Sequence, residues 1–265
     1  MAWIKKVEGF KLVFSTIDDG NMARTQKTRE EVHENRRRFL SAQVPTACRV
    51  IRVRPSHSVN IDVAHPSNGD SILQRTTFFG RPRIDTDFDF YYDGADGVIA
   101  TDANTCLSLI AGDCAPLLFW SSRPRCFGIL HIGLLGALNN MVAGLERALA
   151  SIDLTANDLS YYLGPSITQA DYDISKSGLW TAIEGQARSY PQVMDELRPY
   201  LNEEMYFDMK GMIRMQLAML GVSPSKIDEY PLSTADPKAP FYSHYVAIQQ
   251  GGTPQNFCCV LCPTA

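Results

Sequence analysis

The segment from residue 94 to residue 149 constrains the fold of this chain more than any other part of it. It contains short, nearly continuous apolar runs of about four to eight residues, bounded by Gly, Pro and Ser, which is typical of strands buried on both faces. Three such runs follow one another, and a run with an apolar stripe at helical spacing ends the segment. We therefore predict a buried sheet core followed by a helix over residues 137–150.

Two reactive side chains interrupt this apolar segment. Cys114 follows Asp113 at a strand junction, and His131 ends the next apolar strand shortly before two glycines. A thiol and an imidazole at the ends of adjacent strands can meet in space, as a Cys-His nucleophile pair or a metal site with sulfur and nitrogen ligands requires. The structural alternative is a buried thiol and a hydrogen-bonded core histidine, because both are common in proteins.

A third candidate ligand lies upstream of this segment. His57 stands between two strand-like runs, residues 50–53 and 59–63, where a polar side chain can face a cavity. Two histidines and one cysteine would give zinc three protein ligands and leave a fourth position open, which is the pattern of catalytic rather than structural zinc sites. The spacing does not exclude His65 as a rival of His57.

A series of short motifs extends over nearly the whole chain. In order, they are Phe14-Ser-Thr16, Asn35-Arg36, His57, Ala95-Asp96, Asp113-Cys114, His131-x-Gly133, Tyr162 to Ile167 with Tyr172, and Phe241-Tyr-Ser243. This order resembles the bacterial laccase-domain family, whose members have been called multicopper polyphenol oxidases, purine nucleoside phosphorylases and peptidoglycan editing factors. The resemblance implies one laccase-like domain over residues 1–265.

The resemblance also implies a metal site and a class of substrate. The ligands carried over from the family are His57, Cys114 and His131, with zinc as the metal and copper as the alternative. The implied reactions are phosphorolysis of adenosine, inosine, guanosine and methylthioadenosine, and deamination of adenosine, so the expected partners are a purine nucleoside and phosphate. The catalytic candidates are Cys114, His131 and Asp113, and Asp113 is expected to orient a ligand imidazole or act as a base. Asp96 is expected to support the site or the fold.

The chain departs from the family pattern where positive charge is expected. The family's His-Ala-Gly-Trp-Arg-Gly reads His131-Ile-Gly-Leu-Leu-Gly136 here, Ile17 replaces an arginine, and the residues after Ser243 lack the family's arginines. Because a guanidinium is the usual bidentate partner of phosphate, these losses count against phosphorolysis. Backbone N–H groups at the turn after His131 offer another way to hold an anion. Arg36, on a helix predicted over residues 28–42, is the arginine that we expect to point inward.

Three other functions are compatible with the sequence. The first is a metal-free hydrolase of an amide or ester, including a peptidoglycan-precursor editing role, with Cys114 as nucleophile, His131 as base and Asp113 as orienter. The second is a non-catalytic, degenerate relative, which the lost arginines suggest. A copper polyphenol oxidase ranks last, because five histidines in the whole chain cannot furnish a multicopper centre.

Composition narrows the class of protein. The chain has 265 residues, 45% of them hydrophobic, and a net charge of -4, which gives no electrostatic footprint for nucleic acid or an anionic membrane. Its start has no apolar signal core, so we expect a cytoplasmic protein whose seven cysteines are reduced. Cys259 and Cys262 have redox or zinc spacing, but we expect them in the core or at the edge of a last strand. Consecutive central strands with helices before and after them predict an α+β fold, with mixed sheets sandwiched between helical layers.

Overall fold

The computed structural model describes residues 1–23, 29–64, 82–83, 90–177, 180–181, 183–184 and 192–264. Its strands, in chain order, are β1 (Trp3–Val7), β2 (Phe10–Phe14), β3 (Arg49–Arg54), β4 (Ile61–Ala64), β5 (Pro82–Arg83), β6 (Phe90–Asp93), β7 (Gly97–Ala100), β8 (Thr105–Ala111), β9 (Ala115–Ser122), β10 (Arg125–Ile132), β11 (Ser160–Leu163), β12 (Ile227–Glu229) and β13 (Phe257–Pro263). The α-helices are α1 (Arg29–Gln43), α2 (Leu134–Leu138), α3 (Met141–Ala150), α4 (Gln192–Leu197), α5 (Met209–Met219) and α6 (His244–Gln249).

The strands form two mixed sheets. The first sheet has the order β1-β2-β13-β8-β3-β6-β5, and the second has the order β12-β11-β9-β10-β7-β4. In the first sheet β3 runs parallel to both β8 and β6, whereas β13 runs antiparallel to β2 and β8. In the second sheet β9 and β10 form an antiparallel pair, and β4 runs parallel to β7.

Three apolar cores separate the layers. Alternate residues of the strands face opposite sides of a sheet, so Ile51 and Val53 of β3 enter the core between the sheets, and Val50 faces α1. The second sheet packs its other face against α2, α3 and α5. The predicted α+β sandwich of mixed sheets between helical layers is therefore confirmed.

The central segment crosses from one sheet to the other. β8 ends in the first sheet at Ala111, and β9 begins in the second sheet at Ala115. All residues of β8 and the first six of β9 are buried, as continuous apolar strands require. The residues between them, including Asp113 and Cys114, therefore lie where the two sheets meet at one end. This crossing positions the candidate site.

The predicted helix over residues 137–150 is wrong as one continuous element. α2 begins earlier, at Leu134, and ends at Leu138, and α3 begins at Met141. Asn140 interrupts them because its backbone is left-handed, with φ 52°, and its side chain accepts a hydrogen bond from the Ala143 N–H. Asparagine tolerates this conformation and is a strong N-terminal cap, so it starts a second helix rather than extending the first.

The last strand contains the cysteine-rich sequence. β13 lies inside the first sheet between β2 and β8, and Cys258, Cys259 and Cys262 are all buried. The expectation that they belong to the core of a final strand is confirmed. Within the described ranges, no helix is long and apolar enough to cross a membrane.

Candidate metal centre

His57, Cys114 and His131 come together at the end of the two sheets. We call these three residues the metal centre, because their candidate ligand atoms all lie within 4.8 Å of one another. In the part of the chain that the structure describes, no other three His, Cys, Asp or Glu side chains lie this close together. His65, the rival ligand, lies outside the described residues. The set of three ligands named from the sequence is thus the set that the fold assembles.

Strand pairing brings Cys114 and His131 together. In the antiparallel pair of β9 and β10, His131 faces Pro116 and Ile132 faces Ala115. Cys114 directly precedes β9, so it lies beside the residues that follow β10. His57 reaches the same place from the loop after β3, and the rings of the two histidines are 5.3 Å apart at their centroids.

Asp96 holds the loop that carries His57. The fully buried carboxylate accepts hydrogen bonds from the backbone N–H groups of Ser56, His57 and Ser58 at 3.1, 3.1 and 2.8 Å. The hydroxyls of both serines donate to the same carboxylate at 3.0 and 2.7 Å. His57 has φ +60°, an uncommon conformation for a residue other than glycine. Convergence of these donors on one carboxylate stabilises that turn.

The same carboxylate also orients His131. Nδ1 of His131 lies 2.9 Å from Oδ1 of Asp96, and both side chains are buried. This contact engages Nδ1 and leaves Nε2 as the ring nitrogen for a metal, an arrangement typical of metal-binding histidines. Burial alone would raise the pKa of Asp96, but hydrogen bonds from His131 and Ser58 hold it well below its ordinary value. Asp96 therefore stays ionised beside the metal centre.

The charges of a Cys114 thiolate and a His131 imidazolium stabilise each other. Burial raises the pKa of the Cys114 thiol, but the charge and hydrogen bond of His131, followed by those of His57, outweigh burial and lower this pKa to about 6. Burial would lower the pKa of His131, but the Cys114 thiolate and Asp96 outweigh it and raise this pKa to about 9. The hydrogen bond to Cys114 raises the pKa of His57. Cys114 is consequently a thiolate at neutral pH, the form that binds metals.

Asp113 has a different position from the one we expected. Its carboxylate accepts hydrogen bonds from the Thr234 hydroxyl at 2.6 Å and from the Tyr245 N–H in the first turn of α6 at 2.5 Å. Burial raises its pKa, and these hydrogen bonds oppose the shift. Asp113 thus anchors α6, and the expectation that it orients a ligand imidazole is corrected in favour of Asp96. Its role as a base stays a prediction.

Gly133 leaves room for the metal centre. A Cβ atom at this position would lie 2.8 Å from Sγ of Cys114 and 3.6 Å from Cδ2 of His57. The first distance is too short for a stable contact, so any larger side chain would displace the sulfur. The glycine two residues after His131 is therefore required by packing against the candidate ligands.

A cavity of about 590 Å³ opens onto the metal centre. Its wall includes two aromatic residues, Tyr172 and Tyr245, whose ring centroids are 5.9 Å apart. Burial raises the pKa of Tyr172, and the charge of Cys114 adds to the shift because the two groups are close. The wall also includes two arginines, Arg36 and Arg52.

Only one of the two arginines was predicted from the sequence. Arg36 is only 2% exposed, and its Nε and Nη2 donate to the Met22 carbonyl, so the predicted inward orientation is confirmed. Arg52 was missed. It lies in β3 among apolar residues, on the α1-facing side of the sheet with Val50. β3 also begins with Arg49 and ends with Arg54, so the signal that singles out Arg52 is its place in the strand interior, between Ile51 and Val53.

Comparisons with known proteins identify a family and several relatives of this chain. Residues 12–259 match the family described as multi-copper polyphenol oxidoreductase laccase. Among curated proteins, the chain is 25% identical over 132 residues to purine nucleoside phosphorylase RP494 of Rickettsia prowazekii, a match that covers 50% of this chain and 53% of that one. It is 23% identical over 177 residues to purine nucleoside phosphorylase YlmD of Bacillus subtilis, covering 66% of this chain and 62% of that one. These matches thus span little more than half the length of the curated relatives.

Solved structures share the fold over nearly the whole chain. The hypothetical protein YfiH of Bacillus licheniformis superposes with a TM-score of 0.70 at 17% identity, covering 97% of this chain and 94% of that one. YlmD of Geobacillus stearothermophilus superposes with a TM-score of 0.69 at 20% identity, covering 97% and 93%. Because the family match extends over most of the sequence and the same fold recurs in these structures, the chain belongs to the multi-copper polyphenol oxidoreductase laccase family.

Proposed function

We propose that the protein is a zinc-dependent enzyme that cleaves purine nucleosides by phosphorolysis. The observation that carries the proposal is the assembly of His57, Cys114 and His131 at a cavity whose wall also contains two arginines. The relatives named purine nucleoside phosphorylase support the choice of substrate. Deamination of adenosine is a second activity that the same site would support.

The metal centre fits a zinc ion by its own chemistry. One thiolate and two imidazoles are a ligand set that catalytic zinc sites use, and they leave a position open for a further ligand. The low pKa of Cys114 and the contact of Asp96 with Nδ1 of His131 both prepare the ligands for a cation. A bound zinc ion supplies Lewis acidity, which stabilises negative charge developing on a substrate atom.

The cavity suits a nucleoside in size and in its aromatic wall. Small-molecule sites typically have volumes of about 300–1,000 Å³, and this cavity lies within that range. Tyr172 and Tyr245 offer π surfaces near the metal centre, and stacking of a base on an aromatic ring contributes about 1–3 kcal/mol. We expect the purine to bind against these rings, with its ribose toward the metal centre.

Arg36 and Arg52 provide the positive charge that phosphorolysis requires. The family's usual arginines are replaced by Ile17 and by Leu135, but the two arginines in the cavity wall lie on other elements, α1 and β3. A planar guanidinium suits the bidentate recognition of phosphate. In the proposed reaction a phosphate oxygen forms a bond to C1′ of the ribose while the bond from C1′ to N9 of the purine breaks. The products are a free base and ribose 1-phosphate.

The test is product analysis with zinc-loaded protein, a purine nucleoside and phosphate. We expect release of the free base only when phosphate is present, together with ribose 1-phosphate. The Cys114→Ala variant should lose this activity, whereas Cys126→Ala should keep it, because Cys126 is a buried thiol in the core between the second sheet and its helices. Absence of base release from every purine nucleoside would refute the proposal. Base release that is independent of phosphate would show hydrolysis instead.

A metal-free hydrolase is the second candidate, and the charge state of Cys114 favours it. Its pKa of about 6 makes it a nucleophile without metal, a His131 ring nitrogen lies within 4.8 Å of its sulfur, and Asp96 orients His131. Thiol alkylation of metal-free protein distinguishes the two functions. A hydrolase of esters or amides is active without metal and is inactivated by alkylation at Cys114, whereas the proposed phosphorylase is inactive until zinc is restored.

A further inference from the structure

A second group of thiols lies outside the metal centre, on the face of the first sheet that packs against α1. Cys106 occupies the central strand β8, between β13 and β3. Leu261 faces Leu107 in the last pair of the antiparallel β13–β8 ladder, so Cys262 comes opposite Cys106 one step further along. On the other side Val50 faces Cys106, and Cys48 precedes Val50 by two residues. Three neighbouring strands or their ends thus bring Cys48, Cys106 and Cys262 together on one face, which Cys258 shares further along β13.

The three thiols form a row that leads from the surface into the core. Cys106 and Cys262 belong to the same buried apolar cluster, Cys48 packs against it, and the Cys106 thiol interacts with the thiols of both neighbours. Cys106 and Cys262 are buried, whereas Cys48 is partly exposed, with its Sγ 4.0 Å from the Ala103 carbonyl oxygen. We call Cys48, Cys106 and Cys262 the thiol row. Its exposed end gives a ligand a way to reach the two buried sulfurs.

The row suits a soft cation better than it suits oxidation or zinc. The neighbouring Cys262 thiol raises the pKa of Cys106, and burial raises the pKa of Cys48, so these two thiols react slowly as nucleophiles. Zinc in structural sites takes four ligands in a tetrahedron. Cys106 lies between the other two cysteines, and the three sulfurs do not all lie within 4.8 Å of one another, so they offer two thiolates at a time. Copper(I) is selected by soft thiolate ligands and accepts so few of them.

The charged side chains around the thiol row are compatible with a cation that replaces the thiol protons. Binding of copper(I) by two thiols releases two protons and leaves one net negative charge: Cu⁺ + 2 RSH gives [Cu(SR)₂]⁻ + 2 H⁺. Lys11 faces Cys262 in the β2–β13 pair and so lies on the same side of the sheet, with its Nζ 2.7 Å from the Gln43 carbonyl oxygen. Asp102, whose charge acts on Cys48, is held by Arg49 at 3.1 Å and by Thr105.

We propose that Cys48, Cys106 and Cys262 form a copper(I) site that is separate from the metal centre and is loaded from the surface through Cys48. Copper(I) first bridges Cys48 and Cys106 and then passes to the buried pair of Cys106 and Cys262, with one thiolate exchanged for another. No electron transfer is involved, because the metal enters and stays as copper(I). The proposal is independent of the enzymatic function proposed above.

The test is an anaerobic titration of copper(I) against the coloured chelator bicinchoninate. It uses the Cys114→Ala variant, which lacks the thiolate of the metal centre, so that copper bound there does not contribute. We expect this protein to take about one equivalent of copper(I) from the chelator and to release two protons. Adding Cys106→Ser should abolish the binding. Adding Cys126→Ala instead should leave it unchanged, because Cys126 is an equally buried thiol in another core.

Folding must be separated from ligation in this experiment. Cys48 is partly exposed, so Cys48→Ala should preserve the thermal unfolding midpoint while slowing copper uptake and weakening the binding. The proposal is overturned if Cys114→Ala protein takes no copper(I) from the chelator. It is also overturned if the Cys106→Ser or Cys48→Ala change leaves the affinity and the uptake rate unaltered in protein with an intact circular dichroism spectrum.

Discussion

Replacing Asp96 by Asn removes the charge that holds both histidines of the metal centre. The carboxylate accepts hydrogen bonds from three backbone N–H groups, from two serine hydroxyls and from His131 Nδ1. An amide keeps one acceptor oxygen and turns an NH₂ group toward donors, so several of these groups lose their partner. Breaking a buried ionic pair by removing one member costs about 3–5 kcal/mol. That is a large part of the roughly 5–15 kcal/mol by which a domain is stable.

The same substitution should weaken metal binding. Loss of a carboxylate behind a metal-binding histidine typically reduces affinity about 10- to 100-fold. Without Asp96 the pKa of His131 should fall, and the pKa of Cys114 should rise toward its ordinary value, because each group supports the charge of the other. We therefore expect Asp96→Asn to combine lower zinc affinity with a smaller thiolate fraction at neutral pH.

The assay is zinc competition with a chromogenic chelator, run beside urea unfolding. Asp102→Asn is the matched control: its carboxylate binds Arg49 and Thr105 at the opposite end of β8, far along the strand from Cys114. The control should lose stability and keep the zinc affinity of the parent. If Asp96→Asn binds zinc as tightly as the parent, the assigned role of Asp96 is wrong.

Three further predictions follow from the geometry. Gly133→Ala should lower zinc affinity because the added Cβ would lie 2.8 Å from the Cys114 sulfur. Gly136→Ala is the control and should keep the affinity, because its added Cβ would come no closer than 3.7 Å to a neighbouring atom. Equal zinc affinities in the two variants would contradict this prediction. The Cys114 thiolate of metal-free protein can be followed by its ultraviolet absorbance, taken as the difference from Cys114→Ala. This absorbance should disappear as pH falls through about 6. A midpoint near the pKa of a free thiol would contradict the mutual stabilisation of the Cys114 and His131 charges. Arg52→Gln should raise the KM for phosphate about tenfold or more and leave the KM for nucleoside nearly unchanged, as loss of a charged hydrogen bond implies; Arg49→Gln, which removes a guanidinium paired with Asp102, is the control.

The three candidate ligands could be named from the sequence because their residue types carry the information. Cys114 and His131 interrupt apolar strands, and a thiol or imidazole at a strand end is conspicuous there. The ladder between β9 and β10 is also local, so these two residues meet by simple strand pairing. His57 was named on the same grounds and by the order of family motifs.

Other parts of the site depend on contacts that the sequence does not display. Asp96 meets the Ser56 to Ser58 loop across about 40 residues of chain, and no spacing pattern identifies its partner. Asp113 stands next to Cys114 in sequence, but its carboxylate points toward Tyr245 and Thr234. The crossing from β8 to β9 between different sheets explains this difference, because adjacent residues there face different surroundings.

The boundary of the helix after His131 was missed for a related reason. The apolar stripe over residues 137–150 predicts the buried positions correctly, among them Met141, Val142, Leu145 and Leu149, but it predicts one helix where there are two. The break at Asn140 comes from a left-handed backbone and a capping side chain, which the period of the stripe does not reveal.

The central claim is that His57, Cys114 and His131 bind one catalytic zinc ion. The most direct measurement is the zinc content of protein purified without added metal, by elemental analysis of the parent, Cys114→Ala and Cys126→Ala. We predict about one zinc ion per chain in the parent and in Cys126→Ala, and none in Cys114→Ala. Zinc that persists in Cys114→Ala, or a parent protein that binds none even when zinc is supplied, would contradict the account.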